Sequence, residues 1–434
     1  MRRSVLAALG LALALSGAGS ARADAIPEGW MAKDMKPVGY SSLDGRSGGF
    51  KMAIKKAGDR WYLYLSHFWH RGWSIVDVTD PANPKYVRFL EGPDNTQTTQ
   101  VSLNGDLMVT GLAKMHPNRG GDPNKTSEEG AMFWDIANPA QPKLLSHWRG
   151  GGDGTHRNVY PGGKYAYMSA KIPGYRNYIL VILDVSDPKN PKMVGKWHQP
   201  GQKEDEPQRD EPVAYHGPAM ISPDGKMASL PYSPEVVNLD ISDIANPKRI
   251  GSLRMSPPFI TFGIQGVHTV LPIWNRNLLF VAGEQFSENC DTEALNYAAF
   301  LDNKNPAKPR LISVFPVPRP PEGLPYKNFC DKGGRFGPHN VNQETHSPDV
   351  EQPGNLMYMS YFNAGLRVFD ISDARLPTEA GYFIAPTPTK RAGRQPAELE
   401  TSAEDILVDT RGYAYLTDKQ WGLFIVRYTG PVKN

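Results

Sequence analysis

One phrase returns along the chain at intervals of 49 to 68 residues and limits what this sequence can fold into. It consists of an apolar, β-branched run, an Asp, a proline-bearing turn and a second short apolar run. It reads WSIVDVTDPANPKYV around Asp77, MFWDIANPAQPKLL around Asp135, LVILDVSDPKNPKMVG around Asp184 and VVNLDISDIANPKRIG around Asp240. It continues as AAFLDNKNPAKPRLIS around Asp302 and LRVFDISDARLPTEAG around Asp370, and a degenerate last copy, LFIVRYTG, has Arg427 in place of the Asp. The spacing suits a four-stranded unit and not a helical repeat. Upstream of each phrase stand two more β-rich runs split by a Gly turn, as in NVYPGGKYAYMSA and AMISPDGKMASLPY. No long 3.6-residue apolar period occurs beyond the first 23 residues, so the expected fold class is all-β. The 42 Gly and 39 Pro fit a chain of many short strands and turns.

Seven such strands predict a seven-bladed β-propeller of four-stranded blades, a single domain over residues 24–434. The last copy runs EDILVDT, YAYLTD and LFIVRY without a fourth strand. Lys36-Pro37-Val38-Gly39-Tyr40 matches the fourth-strand phrase Pro191-Lys192-Met193-Val194-Gly195, so the N-terminal strand is expected to close the last blade and remove a free edge. On this phrase, VILDVSDPKNPKMVG and RVFDISD above all, the chain resembles the LVIVD-repeat family of exported bacterial β-propeller proteins. The resemblance implies fold and export. It implies no single activity, because fold does not settle function. The repeat Asp itself reads as a turn cap, since the phrase is too rich in Pro and too poor in carboxylates for a calcium loop.

Residues 1–23 carry Arg2 and Arg3, an Ala/Leu/Gly run and the small-x-small site Ala21-Arg22-Ala23, the pattern of a cleaved export signal. Arg2-Arg3 followed by Val5-Leu6 is similar to a twin-arginine signal, although Met1 stands where Ser or Thr usually precedes, and general secretion stays equally open. No later run is long and apolar enough to span a membrane. The expected location is periplasmic or secreted. A net charge of +3 with mixed signs and no basic stripe argues against a nucleic-acid partner. The two cysteines, Cys290 and Cys330, are expected to form a disulfide in an exported chain.

The chemistry is concentrated in four histidines: His156 in GTHRNV, His216 in AYHGPA, His268 in GVHTVL and His339 in GPHNVN. They fall at a nearly constant offset before the second strands that begin near Tyr165, Met227, Leu278 and Leu356. The first strand of a propeller blade lines the central channel, so the four imidazoles are expected to converge. The same count gives Glu404 in the last blade, Thr98 flanked by Gln97 and Gln100 in the second, and Met52 beside Lys51 in the first. Several imidazoles and a carboxylate suit a transition metal ion, Fe or Cu ahead of Zn. Histidines that merely hydrogen-bond between blades are the alternative. Loops on the same face bring SHFWHRG (His67, Trp69, His70, Arg71), AKMHPNRGG (His116, Arg119), GEQFSENC (Glu284) and YFNAG (Asn363). Glu404, His70 and Arg71 are the candidate catalytic residues, and Asn340 is placed to orient a ligand. His147 and His198 lie in outer strands and read as structural. A Cys290–Cys330 bond would pin the Pro-rich insertion that leads into His339.

No GxSxG elbow, HExxH helix, P-loop or dinucleotide fingerprint is present. The expected function is an exported propeller whose channel histidines bind a transition metal, acting as a metal-dependent oxidoreductase on a small or anionic substrate at the channel mouth. The alternative is a non-catalytic binding or scaffold propeller for a protein, peptide or glycan partner.

Overall fold

The computed structural model describes residues 24–255 and 266–432; the expected export signal at 1–23 lies outside the described residues. The repeat phrase marks strand ends throughout. Strands Gly72–Asp77, Gly130–Asp135, Ile179–Asp184, Glu235–Asp240, Ala298–Asp302 and Leu366–Asp370 each stop on the repeat Asp. The reason is local. Each of these carboxylates accepts the backbone N–H two residues on, as Asp77 does from Thr79 at 3.0 Å and Asp184 from Ser186 at 2.9 Å, which turns the chain out of the ladder. Asp80, Asp187 and Asp243 repeat the device inside the turn, at 3.1 Å each.

All pairings between named strands are antiparallel, and the strands group into six hydrogen-bonded sheets. Four sheets have four strands; the eight-stranded one consists of two such runs touching at the Gly154–Ala113 pair. Strand Met35–Ser41 pairs with strand Gly422–Tyr428, so the two ends of the described chain share one sheet. A short strand, Met31–Lys33, which the sequence reading did not anticipate, adds to the outside of strand Thr378–Ile384. No helix of the described residues is long and apolar enough to cross a membrane.

The strand paired outside each repeat-phrase strand carries a bulge at the same place, for example between Pro37 and Gly39 and opposite Ile182/Leu183. Just past it a Gly or Ser meets the turn of the next repeat, except in strand Lys85–Glu91, where Arg88 stands at that place. A Cβ on Gly39 would lie 2.1 Å from the Pro81 carbonyl oxygen, and one on Gly195 would lie 1.9 Å from that of Ile244. Where Ser replaces Gly, its hydroxyl donates to the equivalent turn: Ser146 to the Pro188 carbonyl and Ser313 to the Ala374 carbonyl, both at 2.6 Å. The apolar core is packed between successive sheets. Ile54, Leu63 and Val76 of one sheet bury against Leu407, Tyr415 and Ile425 of the sheet that holds both chain ends. A disulfide joins Cys290 and Cys330.

Candidate metal centre

The four histidines are equivalent by hydrogen bonding as well as by count. The His156 N–H donates to the Ser169 carbonyl at 2.8 Å, His216 to Pro231 at 3.0 Å, His268 to Ala282 at 2.9 Å and His339 to Ser360 at 3.0 Å. Each acceptor is the fifth residue of its strand, counted from Tyr165, Met227, Leu278 and Leu356. Small residues at that fifth position let the next sheet close in. The Ser169 hydroxyl donates to the Tyr215 carbonyl at 2.8 Å, and the Ser360 hydroxyl to the Glu404 carbonyl at 3.0 Å. The inner strands are interrupted here: Gly154–Thr155 and Ala214–Tyr215 stop immediately before His156 and His216.

The imidazoles form an arc. Ring centroids are 4.8 Å apart for His156–His216, 4.2 Å for His216–His268 and 4.8 Å for His268–His339. His339 stacks on Phe362 at 4.6 Å. Two carboxylates face the arc. Glu284 has one oxygen 3.4 Å from His268 Nε2 and the other 3.7 Å from His339 Nε2. Glu404 lies 3.6 Å from His339 Nδ1. The ligand atoms of His216, His268 and Glu284 all lie within 4.8 Å of one another.

Hydrogen bonds set the tautomer of His268. The Thr269 hydroxyl donates to the His339 carbonyl at 2.7 Å, so its oxygen, 2.8 Å from His268 Nδ1, accepts the Nδ1–H. The lone pair of Nε2 is left facing Glu284. The Nε2 of His216 is buried without a hydrogen-bond partner. Such an atom is uncommon inside a protein and calls for a proton, a cation or a ligand. Burial holds all four imidazoles neutral: it draws His156 down to about 3 and His216, His268 and His339 well below their usual value, with cationic Arg157 reinforcing it. A neutral imidazole is the metal-binding form. Burial raises the Glu284 carboxyl, opposed by the Arg335 guanidinium 2.9 Å away. Glu404 pairs with Lys419 at 3.0 Å and accepts from the Ser402 hydroxyl at 2.9 Å.

One step along the inner strands, the space between the sheets is filled. Arg157 donates to the His268 carbonyl and to Asn340 Oδ1, both at 2.7 Å, and to Gln343. Lys51 sits 3.3 Å from Asp405 and 3.6 Å from Glu344. All of these side chains are buried. Above the arc, a cavity of about 550 Å³ has His156 and His216 in its wall, with His116, Arg119, Tyr178 and Phe286.

Of the residues expected at the mouth, the structure brings together the four histidines, Glu404, Glu284 and Arg119. Asn340 reaches the Glu404 carbonyl at 2.9 Å and accepts from Arg157, so it braces the arc. His70 and Arg71 line a different pocket with Arg46, Phe89 and Glu91, and that pocket shares no lining residue with the one over the histidines. Arg71 pairs there with Asp94 at 3.2 Å. The part of that loop that turns toward the arc is Phe68, under Arg119 and Lys419 at 4.7 and 4.5 Å. His147 lies in strand Lys143–Trp148 and bonds the Glu129 carbonyl at 2.7 Å. Sequence reasoning did not single out Arg157, Lys419 or Arg335. Arg157 carried a usable signal, as the residue next to a slot histidine.

The family model described as LVIVD repeat matches residues 153–198 and 346–384. No curated protein matches the chain. Among solved structures, the β-propeller domain of Cps50 (Swd1) from Myceliophteria thermophila is similar at 11% identity and a TM-score of 0.53, covering 88% of this chain and 96% of that one. The periplasmic gluconolactonase PpgL of Pseudomonas aeruginosa is similar at 12% identity and a TM-score of 0.52, covering 84% and 94%. A protein from Lactobacillus plantarum is similar at 14% identity and a TM-score of 0.50, covering 88% and 96%. At these identities the likeness is one of fold. On the repeat and the architecture together, this chain is an LVIVD-repeat β-propeller.

Proposed function

We propose that this protein is an exported, seven-bladed propeller that binds one transition metal ion at His216, His268 and Glu284, with His156, His339 and Glu404 around it. The observation that carries the reading is the convergence of the three ligand atoms within 4.8 Å of one another, beside which the His216 Nε2 is buried without a hydrogen-bond partner. Two imidazoles and a carboxylate with open positions are the donor set of non-haem iron oxygenases, and imidazole-rich sets also suit copper. When bound, such a metal supplies Lewis-acid or one-electron chemistry. The chain's own residues do the rest. Arg157 and Thr269 fix the His268 ring, Arg335 and Lys419 hold the two carboxylates, and the filled layer beneath leaves the upper cavity as the approach. Arg335, Lys419, Arg119 and Arg157 surround the arc with positive charge, which favours a small anionic substrate. The reaction class we propose is metal-dependent oxidation. The count of seven blades draws support from the eight-stranded sheet, whose two four-stranded runs pair only at Gly154–Ala113. Export draws support from the Cys290–Cys330 disulfide.

A second reading has one observation in its favour. Glu284 and Glu404 already have cationic partners, so the cluster is largely satisfied as an internal network. That suits a binding or scaffold propeller for a protein, peptide or glycan.

Elemental analysis of the untagged protein from its own host separates the two. The expected result is about one equivalent of iron or copper, absent from the doubly substituted His216→Ala, His268→Ala protein. A folded protein that holds no metal even after reconstitution would transfer the argument to the second reading.

A further inference from the structure

The cavity over His156 and His216 holds chemistry that metal binding does not use. Its volume of about 550 Å³ lies in the range of small-molecule sites. Much of its wall is apolar or aromatic: Ala113, Ala214, Tyr178, Tyr215 and Phe286. Its charge comes from Arg119 and Lys114. Arg119 is half-buried, and its guanidinium carbon sits 4.7 Å from the centre of the Phe68 ring. Arg335 and Lys419 each have a carboxylate at 2.9–3.0 Å. Among the described residues no carboxylate comes within ion-pair distance of Arg119. Glu284 and Glu404 act on it only from beyond that distance, and a partly desolvated guanidinium with no carboxylate in contact is compensated by an incoming anion. The planar guanidinium fork matches a planar carboxylate. An aromatic wall beside it calls for an aromatic body.

We infer that this cavity takes a small aromatic carboxylate, its anionic head on Arg119, its ring against Tyr178 and Phe286, and its far edge presented to His156 and His216. The inference names the substrate class of the site proposed above and rests on that reading for the chemistry, not for the binding.

The test is isothermal titration of the mature chain, as purified and after dialysis against a chelator, with benzoate, benzamide and acetate as probes. Benzoate is expected to bind both forms at least tenfold more tightly than benzamide or acetate. Arg119→Gln is expected to lose at least tenfold in benzoate affinity while leaving benzamide unchanged. Phe286→Ala removes a ring that is 45% exposed, so it leaves the fold intact, and it is expected to weaken benzoate but not acetate. Benzoate binding no more tightly than acetate, or unmoved by Arg119→Gln in a folded variant, overturns the inference. Selective benzoate binding by a protein that never holds metal would sink the metal reading alone. A metal-loaded protein that ignores benzoate would sink the substrate class alone.

Discussion

His67 illustrates what burial does to an imidazole in this protein. Its Nδ1–H donates to the Ser47 carbonyl at 2.9 Å, and its Nε2 lies 2.7 Å from the Ser74 hydroxyl, deep in the first complete sheet. Burial, with His70 adding to it, draws its pKa down to about 3. The unfolded chain titrates near 6.5, so between pH 6.5 and 3 the unfolded state takes up a proton that the native state refuses. The stability tied to this group is complete above about pH 6.5 and is lost as the pH falls. His156, also held near 3, acts in the same direction. Each such group removes up to about 1.4 kcal/mol per pH unit below its unfolded pKa. Urea unfolding of the metal-free protein is therefore expected to give a lower stability at pH 5 than at pH 7. His67→Gln is expected to lose stability at pH 7 but to show a shallower pH dependence; parallel pH dependences in the two proteins would contradict the assignment. The sequence left His67 and His70 equally ambiguous, because a loop of SHFWHRG composition does not reveal which side chain turns inward.

At the scale of the element, the unit is a strand that ends on an Asp turn and an outer strand that bulges to reach the neighbouring turn. A bulge twists the outer strand, which makes its exposed edge a poor template for further pairing. The Gly or Ser beyond the bulge then fits against the next repeat's carbonyl. Gly195→Ala places a methyl 1.9 Å from the Ile244 oxygen, so the sheets must separate or the strand must shift. The expected loss is about 1–3 kcal/mol, an overpacking cost, against no loss for Gly354→Ser, where nothing lies within 4 Å and φ is not positive. Chemical denaturation of the Gly195→Ala protein checks it; an unchanged midpoint would remove the proposed role of this contact. The strands and the register of the four histidines were legible because duplication kept both spacing and hydrogen-bond partners. Glu284 was legible only as a loop residue. It stands two residues past strand Leu278–Ala282, and whether such a side chain points inward depends on the loop's tertiary contacts. The pairings of Lys51 with Asp405 and Glu344 join distant repeats, which no local pattern encodes.

Across the whole molecule, the insertion that contains Cys330 is tied to the loop that contains Glu284. Lys332 donates to the Asn363 carbonyl at 2.9 Å and pairs with Glu400 at 3.2 Å, and Arg335 pairs with Glu284. The Cys290–Cys330 bond spans 40 residues, and in the chain-entropy model closing such a loop stabilises by about 3–4 kcal/mol. Replacing both cysteines by Ser is expected to lower Tm and also to loosen Arg335 from Glu284, read as a weaker retention of metal. An unaltered Tm would mean that the loop is held by its other contacts alone. The shared sheet of strands Met35–Ser41 and Gly422–Tyr428 has a temporal consequence. The Tyr40 hydroxyl donates to the carbonyl of Trp421, 381 residues later, at 2.7 Å. A ribosome delivers the first partner of this contact long before the second exists. Strand Met35–Ser41 is thus made long before it can be seated, and until Gly422–Tyr428 emerges it waits as an unpaired strand, open to whatever chaperone meets the nascent chain.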